Sequence, residues 1–123
     1  MKIILISIFG VLGVLSRYSI ESFFGNKNHI FPISTLLANV LGCFLAGSLY
    51  TLMSQKDSAN QMYYLTIIIG FCGGLTTFSG YALQSLGIME SGQLIKAITY
   101  LVLSPALGLL CVYAGMKVTT FAS

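Results

Sequence analysis

Apolar residues fill four long stretches of the chain, and short polar clusters separate them. The first stretch covers roughly residues 3–24 and ends at Gly25-Asn26-Lys27-Asn28-His29. The second, about 33–53, ends at Ser54-Gln55-Lys56-Asp57-Ser58. The third covers about 63–89, and the fourth, about 94–118, follows the turn Glu90-Ser91-Gly92-Gln93. A helix needs about 20 apolar residues to cross the hydrocarbon core of a bilayer. The loops are too short to hold a soluble domain. The pattern therefore predicts an all-α membrane protein, residues 1–123 forming one bundle of four transmembrane helices. The N-terminal run from Ile3 to Leu15 superficially resembles a signal peptide. Ser16-Arg17-Tyr18 is no small-residue cleavage site, however, and the run is expected to stay as the first span.

Within the spans, small residues recur at helical spacing. Gly10, Gly13 and Arg17 share a face of span one, and Ala38, Gly42 and Ala46 form a seam on span two. Tyr100, Ser104, Gly108, Cys111 and Gly115 align along span four. In lipid, helices associate by such close packing, and packing is the expectation for these glycines. Pro105 has no N–H for the Leu101 carbonyl, so a kinked or wetted helix is expected there. Beside the span-two seam runs a polar stripe of Thr35, Asn39 and Cys43. An amide at this depth either glues helices together or offers its N–H donors to an ion in a pore. Arg17 either anchors the bundle at the interface or draws anions to a vestibule, and the anchor is the favoured reading.

The third span is broken by composition. Gly70-Phe71-Cys72-Gly73-Gly74-Leu75-Thr76-Thr77-Phe78-Ser79-Gly80-Tyr81 carries too many glycines and hydroxyls for an unbroken lipid-facing helix. Non-helical backbone survives at membrane depth only against protein or a water-filled cavity. A break there frees carbonyls that suit a cation and N–H groups that suit an anion. Thr76 or Thr77 is placed to cap a restarting helix, which puts Phe78 and Tyr81 on one face. Aromatic rings have positive edges, and ring edges beside Thr76, Thr77 and Ser79 can steady a small anion without trapping it.

Composition agrees and narrows the chemistry. The chain is 56% hydrophobic and 7% charged, far from the roughly one quarter charged of soluble domains. With Lys+Arg 6 and Asp+Glu 3, no basic run marks a nucleic-acid partner. Cys43, Cys72 and Cys111 lie in apolar stretches and read as small packing residues. No span contains an internal carboxylate, so a proton-coupled pump lacks a relay, and no enzymatic constellation is present. Lys2, Lys56 and Lys117 fall on one predicted side, Arg17, Lys27 and Lys96 on the other. That balance gives the positive-inside rule nothing to act on. It arises by chance among few charges, or it marks dual insertion and an antiparallel dimer.

At the third-span segment the chain resembles the Fluc (CrcB-type) fluoride channel family. The likeness extends over the whole length: Gly10 to Tyr18, Pro32-Ile33-Ser34-Thr35-Leu36 leading to Asn39, the Gly70-to-Ser79 stretch, then Tyr100 and Ser104. The resemblance implies a fluoride-selective passive channel in the inner membrane of a prokaryote, built as an antiparallel dual-topology homodimer. A heterodimer with a paralogue is the variant form. It also implies a structural sodium ion held by main-chain carbonyls, which by motif position belong to Gly73 and Thr76. The pore residues it implies are Asn39, Phe78, Tyr81, Ser79, Thr77, Tyr100 and Ser104. Three departures stand out: Tyr81 where members usually carry a second phenylalanine, Gly80 for a threonine, and Ser34 for a glycine.

Two other classes compete. A small four-span multidrug exporter matches in size but depends on a carboxylate inside span one, which here has none before Glu21. A non-transporting assembly subunit leaves the broken third span without a purpose.

Overall fold

The computed structural model describes residues 1–25 and 31–122; Asn26 to His29, with Lys27, lie outside the described residues. Helix α1 spans Lys2–Phe24 and α2 spans Ile33–Ser54. The third span starts as α3, Ser58–Ile67, and passes into a π-helical segment, Ile68–Cys72. A single turn follows, α4, Gly73–Leu75; after Thr76 and Thr77 the helix restarts as α5, Phe78–Glu90. Helix α6 runs unbroken over Leu94–Ala122 with Pro105 inside it. Among the described residues four stretches are long and apolar enough to cross a membrane: Lys2–Phe24, Ile33–Ser54, Asn60–Glu90 and Leu94–Ala122. Helices are the natural outcome, because a chain in lipid must satisfy its backbone groups internally. Asp57 accepts backbone N–H groups of Asn60 and Gln61, so polar residues that hydropathy leaves outside the third span form its first turn.

Glycines set how closely the spans approach. A Cβ on Gly74 would lie 2.6 Å from the Gly10 carbonyl oxygen, and one on Gly70 would lie 2.8 Å from that of Ile6. A Cβ on Gly13 would run into the Phe71 carbonyl oxygen in return. The glycines of the third span therefore form a packing seam against α1. Gly73 and Gly74 stay helical, and the break is confined to Thr76 and Thr77.

Helix α2 packs most extensively on α6. A Cβ on Gly47 would strike the Val112 carbonyl, and one on Gly115 the Phe44 carbonyl. Ser48 Oγ donates across this contact to the Gly115 carbonyl at 3.3 Å. Ala38 is fully buried, while Gly42 faces Thr76 rather than α6. A small apolar core of Ile88, Ala97 and Tyr100 gathers Phe31, Leu36 and Tyr81 around it.

Candidate functional site: the broken third span and its groove

The break is built by side chains that divert backbone donors. Thr76 and Thr77 are extended, with φ/ψ of −84°/154° and −145°/115°. Thr76 closes the end of α4 by donating both its N–H, at 3.0 Å, and its hydroxyl, at 2.9 Å, to the Cys72 carbonyl. Thr77 Oγ1 accepts the Gly80 N–H at 2.9 Å and caps α5. A Cβ on Gly80 would come within 2.9 Å of Thr77 Cγ2, so glycine at this position leaves room for the cap.

Asn39, from α2, grips the same segment from the side. Its Oδ1 accepts the Thr77 N–H at 2.7 Å, and its Nδ2 donates to the Thr77 carbonyl at 3.3 Å. In an unbroken helix the Thr77 N–H would bond the Gly73 carbonyl, and the Gly80 N–H would bond that of Thr76. Asn39 takes the first donor and the Thr77 side chain takes the second. The Gly73 and Thr76 carbonyls thus lose their helical partners together. Between them in sequence, the Gly74 carbonyl accepts Arg17 Nε at 3.3 Å, so the half-buried guanidinium stands at the C-terminal end of α4.

Oxygens released in this way suit a hard monovalent cation. Among the described residues no group of three or more His, Cys, Asp or Glu side chains could hold a metal. The oxygens of this segment are main-chain carbonyls and the hydroxyls of Thr76, Thr77 and Ser79.

Phe78 opens α5 with 81% of its surface exposed. It lies in a groove of about 390 Å³ with Asn39, Thr77, Tyr81 and Ser104, and the Cys43 thiol also lines it. The groove gathers five of the residues singled out for a pore. Ser79 is exposed and shares a hydrogen bond of 3.2 Å with the Thr77 hydroxyl. Tyr100 lies fully buried behind the groove. Ring centroids connect Phe78 to Tyr81 at 5.6 Å, Tyr81 to Tyr100 at 5.3 Å, and Tyr100 edge-on to Phe31 at 5.3 Å.

Gln84 is the residue that sequence reasoning passed over. Its Nε2 donates to the buried Thr35 hydroxyl at 2.7 Å, and its Oε1 accepts the Tyr100 hydroxyl at 3.2 Å. It also lines a second cavity of about 420 Å³, with Phe31, Ser34 and Ser91. Thr35, Gln84 and Tyr100 thus form a hydrogen-bonded chain that reaches this cavity through Gln84 and meets the groove through the ring contact of Tyr100 with Tyr81. The signal was available: an amide inside an apolar span, three residues beyond Tyr81 and on the same helical face. Among the described residues every buried side-chain nitrogen and oxygen has a partner.

The family described as "CrcB-like protein, Camphor Resistance (CrcB)" matches residues 4–116. The chain is 36% identical over 118 residues to the "Fluoride-specific ion channel FluC" of Pseudomonas syringae pv. tomato, covering 95% of each protein. It is 38% identical over 113 residues to the protein of that name from Pseudomonas putida strain KT2440, covering 91% of each. The "Fluoride-specific ion channel FluC 2" of Rhodococcus jostii is 33% identical over 120 residues, 98% of this chain and 100% of that one.

Proposed function

The chain belongs to the CrcB family, and on that premise we propose that it is a fluoride-selective passive channel, a multi-pass protein of a prokaryotic cell membrane that lets the anion leave the cytoplasm. Relatives of nearly equal length carry the name of a fluoride-specific channel. This membership sets aside the small multidrug exporter. The observation that carries the reading within the chain is the exposure of Phe78, 81%, in a groove that Asn39 and Ser104 also line. An aromatic ring projecting from a helix restart, beside amide and hydroxyl groups, is suited to a small anion.

A groove open on the side of one chain becomes a closed path when a second copy covers it. An antiparallel homodimer, supported by the balanced loop charges, supplies that cover, and a paralogue is the other candidate partner. The Gly73 and Thr76 carbonyls, stripped of helical donors, fit a structural sodium ion shared by two copies. Such an ion supplies a fixed positive charge at the centre without being transported.

Fluoride holds its water tightly, so a conducting path must replace that water with donors. Asn39 retains an Nδ2 hydrogen after bonding Thr77. The Ser104 and Ser79 hydroxyls and the ring edges of Phe78 and Tyr81 extend the set, with Tyr100 and Gln84 behind. Hydrogen fluoride crosses membranes and dissociates in the more alkaline cytoplasm. A negative-inside potential then drives the anion out, with about 2.3 kcal/mol per charge per 100 mV. No coupling carboxylate is required, and the spans contain none internally.

Fluoride efflux from liposomes holding the purified protein, with chloride as the control, tests the reading. Rapid fluoride and negligible chloride release is expected. Absent fluoride release, or equal release of both anions, would falsify it.

A further inference from the structure

Pro105 and Tyr81 solve a problem in common. Pro105 has no N–H, so the Leu101 carbonyl one turn earlier in α6 loses its helical donor. In water such a carbonyl is hydrated at little cost. In a bilayer it must find a partner within the protein. The Tyr81 hydroxyl, reaching across from α5, donates to the Leu101 oxygen at 2.8 Å. This bond lies at the surface of the single chain, where lipid or a second copy takes the place of water.

We infer that Tyr81 is a positioning residue whose hydroxyl masks the carbonyl that Pro105 exposes, and that this bond holds the Tyr81 ring in the anion path. Tyr81 and Pro105 both line the groove that contains Asn39 and Ser104. An uncovered carbonyl beside that groove is an acceptor, with partial negative charge, where an anion needs donors. The hydroxyl neutralises it. The same bond fixes the far end of a ring already packed between Phe78 and Tyr100, at 5.6 Å and 5.3 Å between centroids. Tilt is thereby restricted, and the ring edge stays available. The phenolic oxygen is engaged with α6 and is not the group offered to the ion.

The inference rests on the fluoride-conduction reading, and the test separates the two. Four proteins are compared in liposome efflux: wild type, Tyr81→Phe, Pro105→Ala, and the double variant. Pro105→Ala returns a backbone N–H to the Leu101 carbonyl and makes the tyrosine hydroxyl dispensable. Fluoride flux is expected to fall about tenfold in Tyr81→Phe, the order for leaving an acceptor unpaired where water is excluded. In the double variant flux should recover to the level of Pro105→Ala, which serves as the reference for removing a groove-lining proline.

Recovery is a readout that a generally weakened fold would not give. If Tyr81→Phe does not assemble at all, the double variant should restore assembly. A 13C=18O label on the Leu101 carbonyl adds a spectroscopic signature: its infrared band should move to higher wavenumber in Tyr81→Phe and return in the double variant. Undiminished flux in Tyr81→Phe, an unmoved band, or a loss on adding Tyr81→Phe to Pro105→Ala as large as in the wild-type background would overturn the inference. No fluoride flux from wild type would instead sink the channel reading itself.

Discussion

Asn39 and Thr77 are bonded twice across the break in the third span, the asparagine accepting the threonine N–H at 2.7 Å and donating to its carbonyl at 3.3 Å. The side-chain amide stands in for a neighbouring strand, meeting a peptide unit at both its donor and its acceptor. Two extended residues can therefore exist at membrane depth without water. The same grip keeps the Thr77 N–H from the Gly73 carbonyl, so the clamp on the backbone and the free oxygen proposed for a cation have one cause.

Removing the clamp should be costly. Asn39→Ala is expected to lower the stability of the purified protein by about 1–3 kcal/mol, the order for stranding buried polar groups. Asn39→Asp keeps an acceptor for the Thr77 N–H but sets a carboxylate against the Thr77 carbonyl and into the groove. Its fluoride flux should fall below that of the Ala variant. Denaturation in detergent and liposome efflux check the two effects, and an Ala variant as stable as wild type would show that the break needs no clamp.

Phe78→Ile keeps bulk and hydrophobicity but removes the ring edge. Because 81% of the Phe78 surface is exposed in the single chain, its loss should leave the bundle intact. Fluoride efflux is expected to fall about tenfold, the upper end of what one aromatic contact contributes. Gel filtration reports on assembly; undiminished efflux from an assembled variant would remove the ring edge from the mechanism.

Thr77→Val tests the cation proposal through a side chain that does not touch the ion. Without the cap at 2.9 Å, the Gly80 N–H can return to the Thr76 carbonyl and compete with sodium. A capping bond contributes about 1 kcal/mol, so the variant should need roughly five- to tenfold more sodium for half-maximal efflux. Titrating sodium into liposomes prepared with an organic cation measures this. Identical sodium curves for variant and wild type would argue against those carbonyls as ligands.

Two glycines in the same span should respond in opposite ways. Gly74→Ala brings a methyl to 2.6 Å from the Gly10 carbonyl oxygen and should cost about 1–3 kcal/mol as α1 is pushed away. Among the described residues nothing lies within 4 Å of a Cβ on Gly87. Gly87→Ala should be neutral, or stabilising by up to about 1 kcal/mol through helix propensity. Thermal unfolding of both variants in one detergent makes the comparison.

Dual topology predicts that a single cysteine placed near residue 91 in a cysteine-free background is labelled from both sides of the membrane. Replacing Cys43, Cys72 and Cys111 provides that background, since all three are free. Labelling from one side alone would require a dimer of parallel chains.

The four spans, the broken third one and a threonine cap at Thr76 or Thr77 were legible in the sequence because they are written locally; the structure makes Thr77 the cap. Hydropathy marks a span, and a threonine next to a run of glycines marks a restart. The glycines were only half legible. Gly70 and Gly74 read as weakness in a helix, whereas they make a close contact with Gly10 and Gly13 in α1, and a cost within one helix can be repaid only by another. Gln84 escaped notice because its partners, Thr35 and Tyr100, come from different spans.

The sequence by itself determined that this chain lives in a bilayer as four helices and that the third must break, since lipid tolerates neither charge nor unpaired backbone. Which donors the break diverts, and to whom, was decided only by the tertiary structure. Asn39 meets Thr77, and Tyr81 meets Leu101, across helices whose relative placement no local pattern encodes. A hydrogen bond needs its two atoms within about 3 Å, and only the packing of one helix on another sets that distance.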